Sequence, residues 1–499
     1  MGFSPKSKGT SLIFLFLSLF SNPATSGAQS ATDGFISAVI SENGLVFVKD
    51  FLVEQVIQSL TPIRLPDIEK SVKIPILGGV HVSASDITLY HINVSSSTVN
   101  PGDTGIVIVA SGASASLSLK WSYIYSSWIF VPIEVSDEGN ASVQVEGLEV
   151  NLTIRLENKK GTLALNVTQC GCYMEDINIT LDGGVSWLYQ GFADAFEDQI
   201  RSAVENAITK KITAGTGKLD SLLQSLPKQI NMANIAPLNV TFVEDPVVRN
   251  SSIEFYINGL FVQSSRELVA SYLHKQSPVY SVYCGSTLKM VGISINEAVF
   301  DSASMVLFEE GLFHWIVDKV PDQSLLNTAS WKFIIPQLYR KYPNDEMQLN
   351  ISLSSAPVVD ITQKGFVATI FLDMIVEVFE GNTTIPVACI SVDLTISGDA
   401  DISGNKLVSR AHLNDFSLSL KWSEIGNFRM FLVQGVMRVF LNTVVMPYIN
   451  IHLRKGFSIP SFHGLALQNA QLVTTNSNII LCSDLTFFNS SFITDMYKA

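Results

Sequence analysis

Two spacings of apolar residues alternate along the chain, and they predict long helices and long strands. In some stretches apolar residues recur at every third or fourth position, which is the period of an amphipathic helix. Elsewhere apolar and polar residues alternate, or β-branched residues run together, which predicts strands. The predicted helices are about Leu45–Leu60, Val185–Ile212, Ser304–Val320 and Phe428–Ile451. The predicted strands include His81–Asn93, Gly105–Ala113, Ala115–Ile124, Ala141–Glu157, Gly161–Thr168, Met347–Ser354, Gly365–Glu380, Ile385–Ile396 and Phe416–Trp422.

The succession of strands followed by a long helix occurs twice, so we expect two similar halves. A segment with Pro227, Pro237 and Pro246 separates them. The expected domains are 29–226, a bridge over 227–260, and 261–499. Long antiparallel strands beside amphipathic helices predict an α+β protein in which helices pack on strongly curved sheets.

The apolar stripes of the helices have two interpretations. They are ordinary core, or they line an underfilled helix–sheet interface that accepts acyl chains; periodicity does not separate these readings. The residues that would line such pockets are Val48, Phe51, Leu52, Phe192, Phe196, Ile200, Phe431, Val436 and Phe440.

Composition narrows the class of protein. Hydrophobic residues make up 47% and charged residues 15%, with a formal net charge of -13, so the chain is unlike a disordered one. After residue 28 no apolar run of about 18 residues occurs, which excludes a polytopic membrane protein. No catalytic motif and no metal-binding spacing of His or Cys is present. We therefore expect no enzyme, no metal, no nucleic-acid partner and no cofactor.

The N-terminus predicts a secreted protein. Lys6 and Lys8 precede the apolar run Leu12–Phe20, and the small residues Ser26 and Ala28 follow, as in a signal peptide over residues 1–28. Sequons for N-glycosylation lie along the whole chain, which supports that address. They are at Asn93, Asn140, Asn151, Asn166, Asn178, Asn239, Asn250, Asn350, Asn382 and Asn489.

Several segments resemble the bactericidal/permeability-increasing and lipopolysaccharide-binding protein family, and its plant members most closely. They are Leu418–Phe488, Leu65-Pro66-Asp67, Gly183 with Trp187, and Val243-Glu244-Asp245-Pro246. The resemblance implies a boomerang of two tandem barrels, each a strongly twisted antiparallel sheet wrapped by long helices, joined by a central sheet. It also implies a phospholipid in an apolar pocket of each barrel, and binding of bacterial lipopolysaccharide through lipid A in innate defence. The alternatives are phospholipid transfer without an immune role and a protein-interaction scaffold.

The sequence departs from the family in its cysteines. The resemblance places one half of a disulfide at Cys170 and the other near Thr213, where no cysteine stands. That bridge is absent or rewired, with Cys172 as the candidate partner. The connectivity of the five cysteines stays open.

The tip that binds lipid A in the family is also altered, because its loop, residues 120–130, carries a single cation. Aromatic rings there suit a lipid–water interface, and ordinary strand packing is the alternative. We expect transient contact with a membrane surface through these rings and through nearby lysines. The candidates are Lys70, Lys73, Lys120, Trp121, Tyr123, Tyr125 and Trp128.

Overall fold

The structure is a computed structural model that describes residues 34–74, 78–127, 133–182, 186–232, 236–262, 284, 289–320, 322–381, 383–403, 406–458 and 465–487. The predicted signal peptide, Trp128, Asn382 and Asn489 lie outside these residues. The chain forms two compact units. The N-terminal unit holds Ile40–Leu226 and Glu244–Glu254, and the C-terminal unit holds Pro227–Val243, the described residues from Phe255 onward and those up to Val39.

Long strands dominate both units. In the first half of the chain they are β1 Ile36–Ser41, β2 Ile63–Arg64, β3 Ile68–Ile74, β4 Gly78–Asn93, β5 Ser96–Gly102, β6 Gly105–Ser127, β7 Ile133–Lys159, β8 Thr162–Tyr173, β9 Asp176–Leu181, β10 Gln229–Met232 and β11 Ala236–Asn239. They continue with β12 Val247–Arg249, β13 Ser252–Ile257, β14 Val291–Asn296, β15 His314–Val317, β16 Met347–Leu353, β17 Val358–Thr362, β18 Gly365–Glu380, β19 Thr383–Ser403, β20 Lys406–Ser423, β21 Phe457–Ser458, β22 Leu465–Thr474 and β23 Asn478–Phe487.

The helices are α1 Glu42–Leu60, α2 Ser186–Gln224, α3 Glu297–Glu309, α4 Pro336–Lys341, α5 Met430–Phe440 and α6 Met446–Lys455. A π-helical segment, Leu441–Val445, connects α5 to α6, so Met430–Lys455 is one helical run. Short 3-10 helices cover Gln323–Leu326 and Thr328–Trp331.

The N-terminal unit is built on one antiparallel sheet with the order β2-β4-β6-β7-β8, in which β3 also pairs with β4, β5 with β6 and β9 with β7. Two predicted strands, on either side of residue 114, are a single strand, β6. Register shifts near Ala113 bend this strand, and that bend explains the break in its alternation. The helix α2 lies against the sheet and buries a stripe of Phe196, Ile200, Val204, Ile208 and Ile212.

The C-terminal half uses the same kind of sheet. A seven-stranded antiparallel sheet has the order β15-β16-β18-β19-β20-β21, with β17 paired to β18. A further sheet has the order β12-β13-β1-β14-β23-β22, and β10 pairs with β11. The described chain is therefore α+β with large antiparallel sheets, as predicted.

The predicted helix Ser304–Val320 is wrong in position. The observed α3 begins earlier because the Asn296 side chain accepts a hydrogen bond from the Ala298 backbone N–H and caps it. It ends before Gly311, which has φ +59°. The following residues, His314–Val317, pair with β16 as a strand. An apolar run of this length carries no signal that separates strand from helix.

One hairpin recurs in both sheets. Gly102 pairs with Gly105 across a two-residue turn between β5 and β6, and Thr362 pairs with Gly365 across a two-residue turn between β17 and β18. The residue that follows each turn, Gly105 or Gly365, has φ near +120°, and a Cβ there would collide with a carbonyl oxygen on the neighbouring strand. These two turns therefore require glycine at the residue that follows them.

Replacement of Gly105 by Ala tests this requirement. We expect Gly105→Ala to lower the free energy of unfolding by about 2 kcal/mol or more, since Ala at φ +120° is strained and its Cβ meets the Ile154 carbonyl oxygen. Gly79→Ala in β4 is the control, because a Cβ there meets nothing within 4 Å. Denaturant unfolding measures both. Equal stability of the two variants would contradict the proposed role of the turn.

Candidate functional site

A small apolar cavity lies in the C-terminal unit, where the helical run 430–455 packs on the seven-stranded sheet. Its volume is about 60 Å³. The helix contributes Val433, Val436, Met437 and Phe440 to the wall, and the sheet and the 315–340 region supply the rest. The remaining lining residues are Val320, Leu325, Leu326, Trp331, Ile335, Leu338, Met347, Leu349, Met374, Val376 and Ile390.

Every residue of this wall is apolar, and none is titratable. The one polar atom of the lining side chains, the Trp331 indole N–H, donates to the Leu325 carbonyl oxygen at 2.9 Å. The wall therefore offers neither a proton donor nor a metal ligand, and its chemistry is limited to packing against apolar atoms. A volume of about 60 Å³ holds only a few carbon atoms, so an acyl chain would enter only if lining side chains or the helix moved.

The structure places two of the predicted residues of the last helix, Val436 and Phe440, in this wall. The assignment of Phe431 to the pocket is wrong, since its side chain is 65% exposed. At about 100° per residue, Phe431 lies two positions before Val433 and so on the opposite face of the helix.

The predicted pocket residues of the N-terminal unit fall into different environments. Phe196 and Ile200 of α2 are fully buried in the hydrophobic core. In α1, Phe51 and Leu52 are half-buried, and Val48 is 38% exposed, so its assignment is wrong. The side chain of Phe192 lies outside the described residues.

A buried lysine explains the error in α1. Lys49 is only 5% exposed, and its ammonium group donates to the Ser97 carbonyl and hydroxyl oxygens at 3.0 and 2.8 Å. It also pairs with Asp50 at 2.6 Å. The polar residue therefore takes the inward position that the sequence pattern gave to Val48.

The three described aromatic residues of the predicted tip, Trp121, Tyr123 and Tyr125, face inward. Trp121 is 2% exposed, its indole N–H donates to the Asn140 carbonyl oxygen at 3.0 Å, and its ring stacks on Tyr123. Tyr123 and Tyr125 lie on the same face of β6 and pack against the core. The interpretation of Trp121 as an interfacial ring is therefore wrong, and strand packing is correct.

The three predicted cations differ in what they contact. The Lys70 ammonium group donates to the Ala195 carbonyl oxygen in α2 at 3.2 Å. Lys73 is exposed. Lys120 pairs at 3.0 Å with Asp86, which also pairs with Arg64 at 2.6 Å. Through its hydrogen bond and its charge, Lys120 holds the pKa of Asp86 below its usual value, and Arg64 adds to this.

Lys120 is thus already paired with a carboxylate, which weakens its role as a phosphate ligand.

The disulfide of the described residues joins Cys284 to Cys482 across 198 positions. Cys170 and Cys172 are free thiols, so the suggested pairing between them is wrong. They stand in the unbroken strand β8, where a bond between them would need a turn. Cys389 is a third free thiol and is buried.

The resemblance places the helix-side half of the family's bridge near Thr213, and the structure brings that residue to Cys170. The Thr213 side chain forms a hydrogen bond with the Cys170 thiol, which partly offsets the burial that raises the pKa of Cys170. Burial raises the pKa of Cys172 to about 12, and Glu205 and Cys170 add to the rise. Both thiols are therefore protonated and weakly reactive at neutral pH.

Most of the described sequons are accessible. Asn93, Asn140, Asn166, Asn178 and Asn250 are exposed. Asn151, Asn239 and Asn350 are half-buried, and the Asn239 side chain accepts hydrogen bonds from the Thr241 backbone N–H and hydroxyl group. Their occupancy stays a prediction.

Comparison with known proteins identifies the family. The model of the N-terminal domain of the LBP / BPI / CETP family matches residues 44–226, and that of its C-terminal domain matches residues 230–487. The chain belongs to the LBP / BPI / CETP family. An Arabidopsis thaliana protein assigned by name to the BPI/LBP family is 50% identical over 478 residues, which cover 96% of this chain and 98% of that protein.

More distant relatives agree. The bactericidal permeability-increasing protein of Sebastes schlegelii is 24% identical over 90% of this chain and 94% of its own length. A crystal structure of lipopolysaccharide binding protein superposes with a TM-score of 0.59 at 19% identity, and covers 92% of this chain and all of that one. That likeness shows the fold. Members of the LBP / BPI / CETP family bind lipids and are not enzymes, so the chain is a lipid-binding protein.

Truncation of Trp121 tests whether its ring is core. We expect Trp121→Ala to lower the free energy of unfolding by about 3 to 5 kcal/mol, because a buried indole and its hydrogen bond are lost. Ile124→Ala is the control, since Ile124 lies on the other face of β6 and is 46% exposed. Thermal and denaturant unfolding measure both. A loss below about 1 kcal/mol would show that the ring is not part of the core.

A cysteine at position 213 should restore the family's bridge. We expect Thr213→Cys to form a disulfide with Cys170 and to stabilise the protein by about 2 to 4 kcal/mol, chiefly by restricting the unfolded chain. Lys211→Cys, exposed and two positions away on α2, is the control. Mass spectrometry of proteolytic fragments without reduction detects the bond. A free thiol at 213 after oxidation would contradict the proximity of the two side chains.

Proposed function

We propose that this protein is a secreted, glycosylated lipid-binding protein that takes acyl chains of a phospholipid-like molecule into the apolar cavity of its C-terminal unit. The observation that carries the proposal is the wholly apolar wall under the helical run 430–455. Transfer of an acyl chain from water into such a wall is favourable by about 0.8 kcal/mol for each buried methylene, and it needs no charged site. Closure of each sheet with its helices into a barrel is part of the proposal.

The small volume of the cavity sets a condition on binding. The helix and the sheet must separate, or Trp331 and neighbouring side chains must turn, before a chain of many carbons fits. The π-helical segment Leu441–Val445 lies directly after Phe440 in the wall, and such segments interrupt the regular hydrogen-bond pattern of a helix. It is the place at which the run would bend.

Two observations bear on secretion and on the identity of the lipid. The Cys284–Cys482 disulfide fits an oxidising compartment, which supports secretion. The relatives named for lipopolysaccharide binding and bacterial killing favour lipopolysaccharide as one ligand, with a role in innate defence. Because Lys120 is paired with Asp86, we propose that acyl chains and not phosphate contacts dominate that recognition. Phospholipid transfer between membranes is the second candidate, since a cavity without charged residues suits any diacyl lipid.

The first experiment is mass spectrometry of an organic extract of the secreted protein, purified without detergent. We expect diacyl lipid in the wild type and much less in Val436→Trp, because the larger side chain fills the cavity. Val436→Thr keeps the side-chain volume and adds a hydroxyl to the wall, so it should lower bound lipid without overpacking. Val358→Trp, at an exposed position of β17, is the control.

The outcomes separate the candidates. Equal lipid in all folded variants would place the lipid elsewhere, and no lipid in folded wild type would overturn the proposal. Exchange of labelled phospholipid between vesicles would favour transfer, and retention of lipid with saturable binding of lipopolysaccharide would favour sensing.

A further inference from the structure

Part of the apolar surface of the helical run 430–455 is not buried by its packing on the sheet. It is long and apolar enough to cross a membrane by length and composition alone, yet only 22% of its most apolar 18-residue window is buried. Its inner face is accounted for, since Val433, Met437 and Leu441 belong to the core beneath it. The outer face is the part that core packing does not explain.

Large apolar side chains are exposed on the outer side of α5 and again on α6. Phe431 was placed there above, and Val439, Tyr448 and Ile451 are 61%, 51% and 56% exposed. The stretch from Phe431 to Ile451 spans about 30 Å at 1.5 Å per residue. On an unbroken α-helix Tyr448 would lie about 180° from Val439. The π-helical segment between them changes that phase, and both residues are exposed.

The charge of this region is opposite to that of the protein. The chain has a net charge of -13, but no Asp or Glu occurs between Glu424 and Asp484. The same stretch contains Arg429, Arg438, Arg454 and Lys455, all exposed. An apolar helix face flanked only by cations is the pattern of a helix that lies in the interface of an anionic membrane.

A polar cavity lies beside the second half of the run. It has a volume of about 450 Å³, within the range of about 300–1,000 Å³ that is usual for ligand sites. Its lining includes Arg454 and His412 and no carboxylate. Asn450 accepts from the Ala411 backbone N–H and donates to the Ala411 carbonyl oxygen, both at 2.9 Å, and so fixes the helix to β20 at this point. The other lining residues are Leu413, Asn442, Met446, Pro447 and Ile451.

We propose that the outer face of the run 430–455 docks in the plane of an anionic phospholipid bilayer, with a lipid phosphate in the cavity beside Arg454. The helix lies on the surface and does not cross the membrane, because crossing would remove Val433 and Met437 from the core. This surface goes beyond the proposed acyl-chain site. The two lie on opposite faces of one helix, so a bilayer on the outside would meet the element that covers the apolar cavity.

Vesicle flotation with the full secreted protein tests the proposal. The probes are phosphatidylcholine vesicles with and without phosphatidylglycerol. We expect binding to the anionic vesicles that weakens with salt, because exposed charges are screened. Val439→Asp combined with Ile451→Asp should reduce that binding at least tenfold, since it places two carboxylates on the docking face.

The charge contribution is tested separately. Arg454→Gln combined with Lys455→Gln should weaken binding to anionic vesicles by about fivefold for each cation and leave the weak binding to phosphatidylcholine unchanged. Val358→Asp and Lys364→Gln are the matched controls, at exposed positions on and next to β17. If the double Asp variant is unstable, Phe431→Ser tests the same face at its other end.

Several results would overturn the proposal. Full vesicle binding by the folded Asp variant would place the membrane contact on another surface. A wild-type dimer in sedimentation, dissolved by Val439→Asp and indifferent to vesicles, would make the face a contact between two copies. Lipid extracted from the purified protein is measured in parallel, and we expect the docking variants to retain it. Loss of docking is thereby distinguished from failure of the acyl-chain site.

Discussion

Burial of one helical stripe on a long bent antiparallel sheet is the interaction on which both units depend. Each sheet alone exposes an apolar face, and each long helix alone exposes an apolar stripe, so neither is stable without the other. The stripe of α2 meets its sheet as closely packed core from Phe196 to Ile212. The run 430–455 uses the same arrangement, and its interface with the sheet includes the methionines Met437 and Met374. A packing defect at that second interface leaves the small apolar cavity.

The two units therefore share one kind of helix–sheet packing but differ in the helix that covers the sheet. In the N-terminal unit the described helix–sheet residues serve stability, and polar groups such as Lys49 and Asp86 are satisfied by partners within the unit. In the C-terminal unit the corresponding helical run is interrupted by a π turn and carries apolar residues on its exposed side as well as on its buried side.

Most strands and the long helices were predictable because each extends over many residues with a regular spacing of apolar positions. The family resemblance indicated the architecture. The remaining features depend on contacts between residues far apart in sequence. Alternation put Trp121 and Tyr123 on one face of β6 but gave no indication that this face is covered. The partner of Lys120 is Asp86, at a register shift within β4 and more than thirty positions away, and Cys284 pairs with Cys482 over 198 positions. Phe431 was misassigned because this helix has apolar residues on both faces, so the sequence does not show which of them point toward the sheet.

Because of the Cys284–Cys482 bond, the C-terminal half depends on oxidising conditions during biosynthesis, whereas the described N-terminal half does not. The bond closes a covalent loop of the chain that contains the seven-stranded sheet and the run 430–455. The described cysteines of the N-terminal unit, by contrast, are protonated thiols that form no bond. Closing a ring of that length restricts the unfolded chain by an amount equivalent to about 5 kcal/mol. In a reducing compartment the N-terminal half loses nothing and the C-terminal half loses that support. The oxidation state of the surroundings thus acts on the half that holds the apolar cavity.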